Sequence, residues 1–428
     1  MAGSVDVTAA DPGPLPSAVH RVVEAVYRIE SARIIAALAR LVRDVGLAEE
    51  LAQDALVAAL EQWPERGVPD DPGPWLMATA KHRAIDHLRR QENYRRKLAV
   101  VGRDVELAEQ ASAEPAIVDA LDDHIGDDLL RLIFTACHPS LTTESQVALT
   151  LRMLGGLRTD EIARAFLTTE ATISQRILRA KKTLARQHVR FELPPVSEVP
   201  ARLAAVLGTV YLIFNEGYSA TAGDDWSRPQ LCEEALRLGR VLSGLLPGEP
   251  EVHGLTALME LQASRMAART DAAGRPVLLL DQDRRRWDRL LIRRGLAALG
   301  RAERLGTLGP YGLQAAIAAV HARAARAEDT DWGRIAALYR LLSHVAPSAV
   351  VELNRAVAVG LAEGPAAGLA ILDGLDLPGY PHLPAARGEL LERLGRADEA
   401  RAQFARAAEL TRNETERELF TRRAAPPA

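Results

Sequence analysis

Apolar residues return every three or four positions along most of this chain, the spacing that gives an α-helix one buried face, and its C-terminal half holds no convincing strand. The pattern predicts an all-α protein. Its clearest stretch is residues 159–184, TDEIARAFLTTEATISQRILRAKKTL. Ile162, Ala163 and Phe166 share one face of a short helix whose first turn carries Asp160 and Glu161, where the helix dipole favours carboxylates. Thr159 is the expected N-cap of this helix. Thr168 and Thr169 offer the cap of a second helix, with Ile173, Ile177, Ala180 and Leu184 as its buried stripe. Two such helices on a tight turn predict a helix-turn-helix.

Charge sharpens that picture. The opposite face of the second helix presents Thr172, Ser174, Gln175, Arg176, Arg179 and Lys182, and residues 171–190 hold six Lys or Arg and no acid. In helix-turn-helix proteins Gln and Arg near the start of this helix bond base edges, and later Arg and Lys neutralise phosphates. A solvated basic helix in a bundle is the plain alternative. Upstream, residues 44–63, DVGLAEELAQDALVAALEQW, form an amphipathic helix carrying Glu49, Glu50, Asp54 and Glu61. A Pro/Gly-rich loop follows, and then WLMATAKHRAIDHLRR, residues 75–90, expected to bury Leu76, Ala80, Ala84 and Leu88. Residues 78–97 hold seven Lys or Arg against two acids. An acidic helix followed by a basic one suggests a protein partner for the first and nucleic acid for the second.

With these segments in order, the chain resembles the extracytoplasmic-function sigma factors over about residues 18–190. AEELAQDALVAALEQW looks like their polymerase-binding segment, PWLMATAKHRAIDHLRR like their promoter-melting segment, and TDEIARAFLTTEATISQRILRAKKTL like their second DNA-binding domain. The recognition helix departs from the family, reading EATISQR where many members carry a Gly-Thr-Val-x-Ser-Arg run, so base preference does not carry over. The resemblance implies that Glu49, Glu50, Gln53, Asp54, Leu56 and Trp63 hold the clamp helices of the polymerase largest subunit. It places Trp75, Lys81, Arg83, Asp86, Arg89 and Arg90 on the minus-10 element, and Thr172, Ser174, Gln175, Arg176, Arg179 and Lys182 on the minus-35 element. Asp86 also reads as an intrahelical partner of Arg89 or Arg90.

The implied division is a flexible N-terminus (1–17), sigma region 2 (18–98), an acidic linker (99–125), sigma region 4 (126–190), a Pro-rich linker (191–202), a helical extension (203–315), tetratricopeptide-like repeats (316–414) and a tail (415–428). Residues 104–130 contain nine acids and no Lys or Arg, which fits either a solvated linker or a negative strand in the RNA path of the polymerase. At 428 residues the chain is long enough for about three domains. A net charge of only −4 leaves nucleic-acid binding to local patches. Cys137 and Cys232 give neither a disulfide framework nor a zinc motif, and no metal or cofactor is expected. The N-terminus lacks a secretory pattern and no run of about 18 apolar residues suggests a membrane span, so a cytoplasmic protein is expected.

Beyond residue 202 the chain exceeds what a minimal family member needs. Ile335, Tyr339, Leu342 and Pro347, and then Gly388, Leu391, Gly395, Ala400, Phe404 and Ala407, sit at tetratricopeptide offsets, which predicts stacked helix pairs with a concave face for a peptide or protein. FNEGYSATAGDDW, residues 214–226, reads as a loop after an apolar helix. Its Asn215, Glu216, Tyr218, Asp224 and Asp225 form either a regulatory surface or a set of caps and turns. No His accompanies Glu216 and Asp225, and no phosphate loop or nucleophile elbow occurs, which argues against an enzyme. A promoter-specificity subunit with a modulating tail is the leading reading, and an autonomous helix-turn-helix regulator with a ligand- or peptide-sensing repeat domain is the alternative.

Overall fold

The computed structural model describes residues 18–101, 125–218, 227–272 and 275–426. These form α-helices and short 3-10 turns, with no strand among the described residues beyond an isolated bridge between Thr270 and Pro276. They gather into two compact units. One takes the described residues within Met1–Ala136, Thr150–Leu157 and Lys181–Leu193, and the other those within Cys137–Leu149, Arg158–Ala180 and Pro194–Ala428.

In the first unit α1 (Ala18–Val42) packs against α2 (Val45–Arg66), α3 (Pro72–Val101) and α4 (Ile125–Ala136). Small residues set the closeness of this bundle: Ala32, Ala36, Ala37 and Ala39 of α1, and Ala48, Ala52, Ala55, Ala58 and Ala59 of α2, are all buried. Asp44 caps α2 by accepting from the Leu47 amide at 2.9 Å. At the other end of α2, Trp63 is buried and meets Trp75 edge to face, with ring centroids 5.4 Å apart. In α3 Leu76, Ala80 and Ala84 are buried, and Leu88 is half-buried. The buried Asp128 of α4 is bridged by Arg131 at 2.6 Å and Arg40 at 3.3 Å.

The helix-turn-helix is α6 (Thr159–Ala165) and α7 (Glu170–Arg186), preceded by α5 (Thr143–Met153). Ile162, Ala163, Ile173, Ile177, Ala180 and Leu184 are buried as the periodicity requires, and Phe166 is half-buried. Thr159 is the first helical residue instead of the cap. That place belongs to Arg158, whose amide donates to the Glu161 carboxylate at 2.8 Å. Thr169 caps α7, its hydroxyl accepting from the Thr172 amide at 3.2 Å.

The extension begins with α8 (Val199–Tyr218), so the expected Pro-rich linker already turns helical at Val199. Next come α9 (Pro229–Leu245), α10 (Pro250–Ala263), α11 (Arg289–Leu305) and α12 (Pro310–Arg323). The second of these is buried on every face, including Val252, Leu255, Leu258, Met259 and Leu261. Two neighbours reach it through glycine. A Cβ at Gly254 would stand 2.7 Å from the Gly312 amide of α12, and one at Gly295 of α11 would stand 2.7 Å from Leu261 Cγ. Glu251 caps α12 across space, accepting from the Tyr311 and Gly312 amides at 2.8 and 3.0 Å. The other end of α12 is held by the buried Arg284, which donates to the carbonyls of His321 and Ala324, each at 2.9 Å.

The sequence 214–218 is the last turn of α8, not loop, so Asn215, Glu216 and Tyr218 are helical. Gly217 keeps the helix intact there, because only a residue without a Cβ fits 2.6 Å from the Cys232 amide. Asp224 and Asp225, and the acidic stretch from 102 to 124, lie outside the described residues.

Six helices complete the second unit: α13 (Trp332–Val345), α14 (Ala349–Ala362), α15 (Pro365–Asp373), α16 (His382–Arg393), α17 (Ala397–Leu410) and α18 (Glu414–Ala424). Each packs on the next. Leu391, Ala400, Phe404 and Ala407 share one buried cluster, and the Phe404 ring lies where a Cβ at Gly388 would come within 2.9 Å. Replacing Gly388 with Val is therefore expected to cost about 1–3 kcal/mol through overpacking, read as a lower urea midpoint.

His321 is buried with its ring edge-on to Trp332 at 5.2 Å. Burial, reinforced by the nearby charges of Arg265 and Arg284, pushes its pKa down to about 3 from 6.5. The folded protein keeps the ring neutral while the unfolded chain takes up a proton near pH 6.5. Stability from this residue is thus full above pH 6.5 and is lost as the pH falls toward 3. At pH 5 the loss is about 2 kcal/mol. Denaturant midpoints at pH 7 and pH 5 should separate more for the natural protein than for His321→Gln.

Candidate nucleic-acid interface

The turns of α2 sort its candidate residues into an outer face and an inner one. Glu50, Asp54 and Glu61 are exposed, with Val57 exposed among them. An apolar side chain inside an acidic stripe suits a protein partner, and nothing in the local pattern singles out Val57. Gln53 and Leu56 are half-buried, and Trp63 belongs to the core. Glu49 is only 3 % exposed. It accepts from Gln53, from Arg152 of α5 at 2.8 Å and from Lys181 of α7, all within the first unit.

On α3 the basic residues come forward. Arg89 and Arg90 are exposed with Asp86, and Lys81 is half-buried. Arg83 reaches Asp54 across the helix pair at 3.6 Å. Trp75 is half-buried against Trp63. A row of cations one helix away from a row of carboxylates gives this unit two surfaces of opposite sign.

On α7 Ser174, Gln175, Arg179 and Lys182 are exposed, and so is Leu178, an apolar side chain among polar ones that the amphipathic pattern did not assign. Thr172 is half-buried, its hydroxyl 2.8 Å from that of Thr169. Arg176 is half-buried and lines a cleft of about 190 Å³ with Glu144, Val147, Ile162, Phe166, Leu212 and Glu216, all in the second unit. The Glu144 carboxyl is held below its usual range by its own backbone amide and the Thr142 hydroxyl, with Arg176 adding to the effect. Leu212 and Glu216 come from α8, which also places Thr209 Oγ1 3.3 Å from Gln146 Oε1.

Of the residues proposed for a regulatory surface, Asn215 is exposed, and Glu216 forms an ion pair with Arg228. Tyr218 stacks on Phe214 at 5.7 Å, under the Arg269 guanidinium at 3.7 Å. Glu216 is thus a structural ion pair at the rim of the cleft. Cys137 and Cys232 are buried thiols, and burial raises that of Cys232 to about 12. No group that would hold a metal ion occurs among the described residues, and no described helix is long and apolar enough to cross a membrane.

A helix-turn-helix with a basic outer face, in a chain that also carries one acidic and one basic helix, suits a protein that meets both nucleic acid and a protein partner. Comparison with known proteins narrows this class. Residues 26–94 match sigma-70 region 2, residues 131–184 match sigma-70 region 4, and residues 202–303 match a family of unknown function, DUF6596. An uncharacterized protein of Rhizobium meliloti is 48 % identical over 383 residues, 89 % of this chain and 90 % of its own length. The ECF RNA polymerase sigma factor SigK of Mycobacterium ulcerans is 29 % identical over 157 residues, 36 % of this chain and 78 % of that protein. SigK of Mycobacterium sp. (strain KMS) is 27 % identical over 161 residues, 36 % and 76 % of the two chains. No solved structure matches the chain. The chain belongs to the extracytoplasmic-function sigma factors, with a helical C-terminal extension, and is a transcription initiation factor, not an enzyme.

Proposed function

We propose that the outer face of α2 holds core RNA polymerase through Glu50, Gln53, Asp54 and Leu56. Lys81, Arg83, Arg89 and Arg90 of α3 then engage the minus-10 strand, and Ser174, Gln175, Arg176, Arg179 and Lys182 of α7 read the minus-35 element. The observation that carries this is the split of exposed charge between helices, acidic on α2 and basic on α3 and α7. Phosphate contacts supply most of the affinity, and base-edge contacts select the promoter. Reversing Glu50 and Asp54 to Lys is expected to weaken binding to purified core polymerase tenfold or more, measured by fluorescence anisotropy. An unchanged affinity removes α2 from the interface.

The region boundaries at 18–98 and 126–190 belong to this reading, as does a cytoplasmic site of action. The tandem helices α13 to α18 serve it as tetratricopeptide-like repeats for a peptide or protein partner, and the extension modulates the sigma activity. What supports modulation is α8, whose Leu212 and Glu216 wall the cleft beside Arg176. Truncation after Glu192 uncovers that cleft, and promoter-specific transcription is expected to fall as a result. Equal activity with and without the extension, in basal and inducing conditions, removes the regulatory role.

A further inference from the structure

Glu49 differs from the other acids of α2 in being occupied. Its carboxylate takes one oxygen to Arg152 Nε at 2.8 Å and the other to Lys181 Nζ, from residues 103 and 132 positions further along the chain. Gln53 donates to it as well, and Arg152 is itself fixed by donating to the Leu157 carbonyl at 3.2 Å. The surroundings are shaped to this contact. The Lys181 stem passes Gly46, where a Cβ would stand in ordinary van der Waals contact with its Cδ, at 3.5 Å. The turn after α5 comes close to α1, where a Cβ at Gly156 would lie 2.8 Å from Ser31 Oγ and 3.3 Å from Arg28 Cα. Burial first, and the Glu49 charge second, also hold the Tyr27 phenol well above its usual range. All of these residues lie in the first unit.

We propose that Glu49, Arg152 and Lys181 form an autoinhibitory latch that ties the end of α5 and the C-terminal half of α7 to the polymerase-facing helix and must open before core polymerase binds. The inference rests on the reading of α2 given under Proposed function. A buried carboxylate needs its counter-charges, so the latch is strong while both cations are seated and unstable when either is removed. Core polymerase then competes with Glu49 for Gln53, which the closed latch holds by its hydrogen bond, and its apparent affinity is reduced by the fraction of chains in which the latch is open.

The geometry supplies its own trap. A Cβ at Gly46 stands 3.7 Å from Lys181 Cβ, a separation that suits a disulfide. In the full chain carrying Gly46→Cys and Lys181→Cys, oxidation is expected to close a disulfide, because the natural Cys137 and Cys232 are buried. The oxidised protein should bind core polymerase at least tenfold more weakly than the same protein after dithiothreitol. Arg152→Ala with Lys181→Ala should shift affinity the opposite way, by about tenfold, with folding checked by circular dichroism. Failure of the disulfide to form in the free chain, or equal affinity in its oxidised and reduced states, overturns the latch. If the disulfide forms but neither the reduced nor the natural protein binds polymerase, the latch contact stands and it is the reading of α2 that fails.

Discussion

Replacing Arg176 and Arg179 together with Ala is expected to reduce promoter-selective initiation by about 10- to 100-fold, while binding to core polymerase stays unchanged. A well-placed arginine on a base edge contributes about 1–3 kcal/mol of discrimination, and each 1.4 kcal/mol is a factor of ten. Both residues follow the exposed Ser174 and Gln175 on α7; Arg179 faces solvent and Arg176 lies half-buried at the cleft shared with α8. The two single variants should differ in kind. Removing a phosphate-neutralising cation at Arg179 weakens binding evenly across promoters and flattens the salt dependence by about one ion, whereas removing a base-reading fork at Arg176 relaxes sequence choice. Quantitative transcription from a set of promoter variants at two salt concentrations separates these outcomes, and an unaltered start-site pattern removes α7 from promoter reading.

The second large effect concerns Trp63. Its indole is buried and supports Trp75 at 5.4 Å, and its Nε1 has no hydrogen-bond partner among the described residues, so packing is its main contribution. Trp63→Ala is expected to cost about 3–5 kcal/mol, a large part of the net stability of a small domain. The loss should appear in denaturant unfolding as a separate early transition, and Trp63→Phe should recover much of it. If Trp63→Ala unfolds at the natural midpoint, the residue acts at the surface and not in the core.

These two sites also mark the limits of what the chain discloses before it folds. The helix-turn-helix was legible because each of its helices carries its own apolar stripe, and Ile173, Ile177, Ala180 and Leu184 occupy the interior that the period of 3.6 assigns to them. The contrast of an acidic helix with basic ones was legible for the same local reason. Roles that depend on distant partners were not. Glu49 sits in a row of acids and reads as one more surface carboxylate, yet its partners Arg152 and Lys181 lie far along the chain. Trp63 closes the amphipathic stretch and reads as an interface aromatic, yet it is buried, with Trp75 of the next helix packed edge to face on it. Gly217 reads as a loop residue, but its smallness admits the Cys232 backbone and lets α8 continue to Tyr218. Val57 and Leu178 follow the same rule from the outside, as apolar residues that no other described helix covers.

The most direct measurement is transcription in vitro from a library of genomic fragments, using purified core polymerase with and without the full-length protein. A promoter-specificity role predicts that the protein associates with the core enzyme and starts transcripts from a limited set of fragments sharing two spaced elements, and that neutralising the outer face of α7 abolishes that selection. A protein that does not associate with core polymerase, or that binds those fragments tightly by itself and leaves the transcripts unaltered, contradicts it.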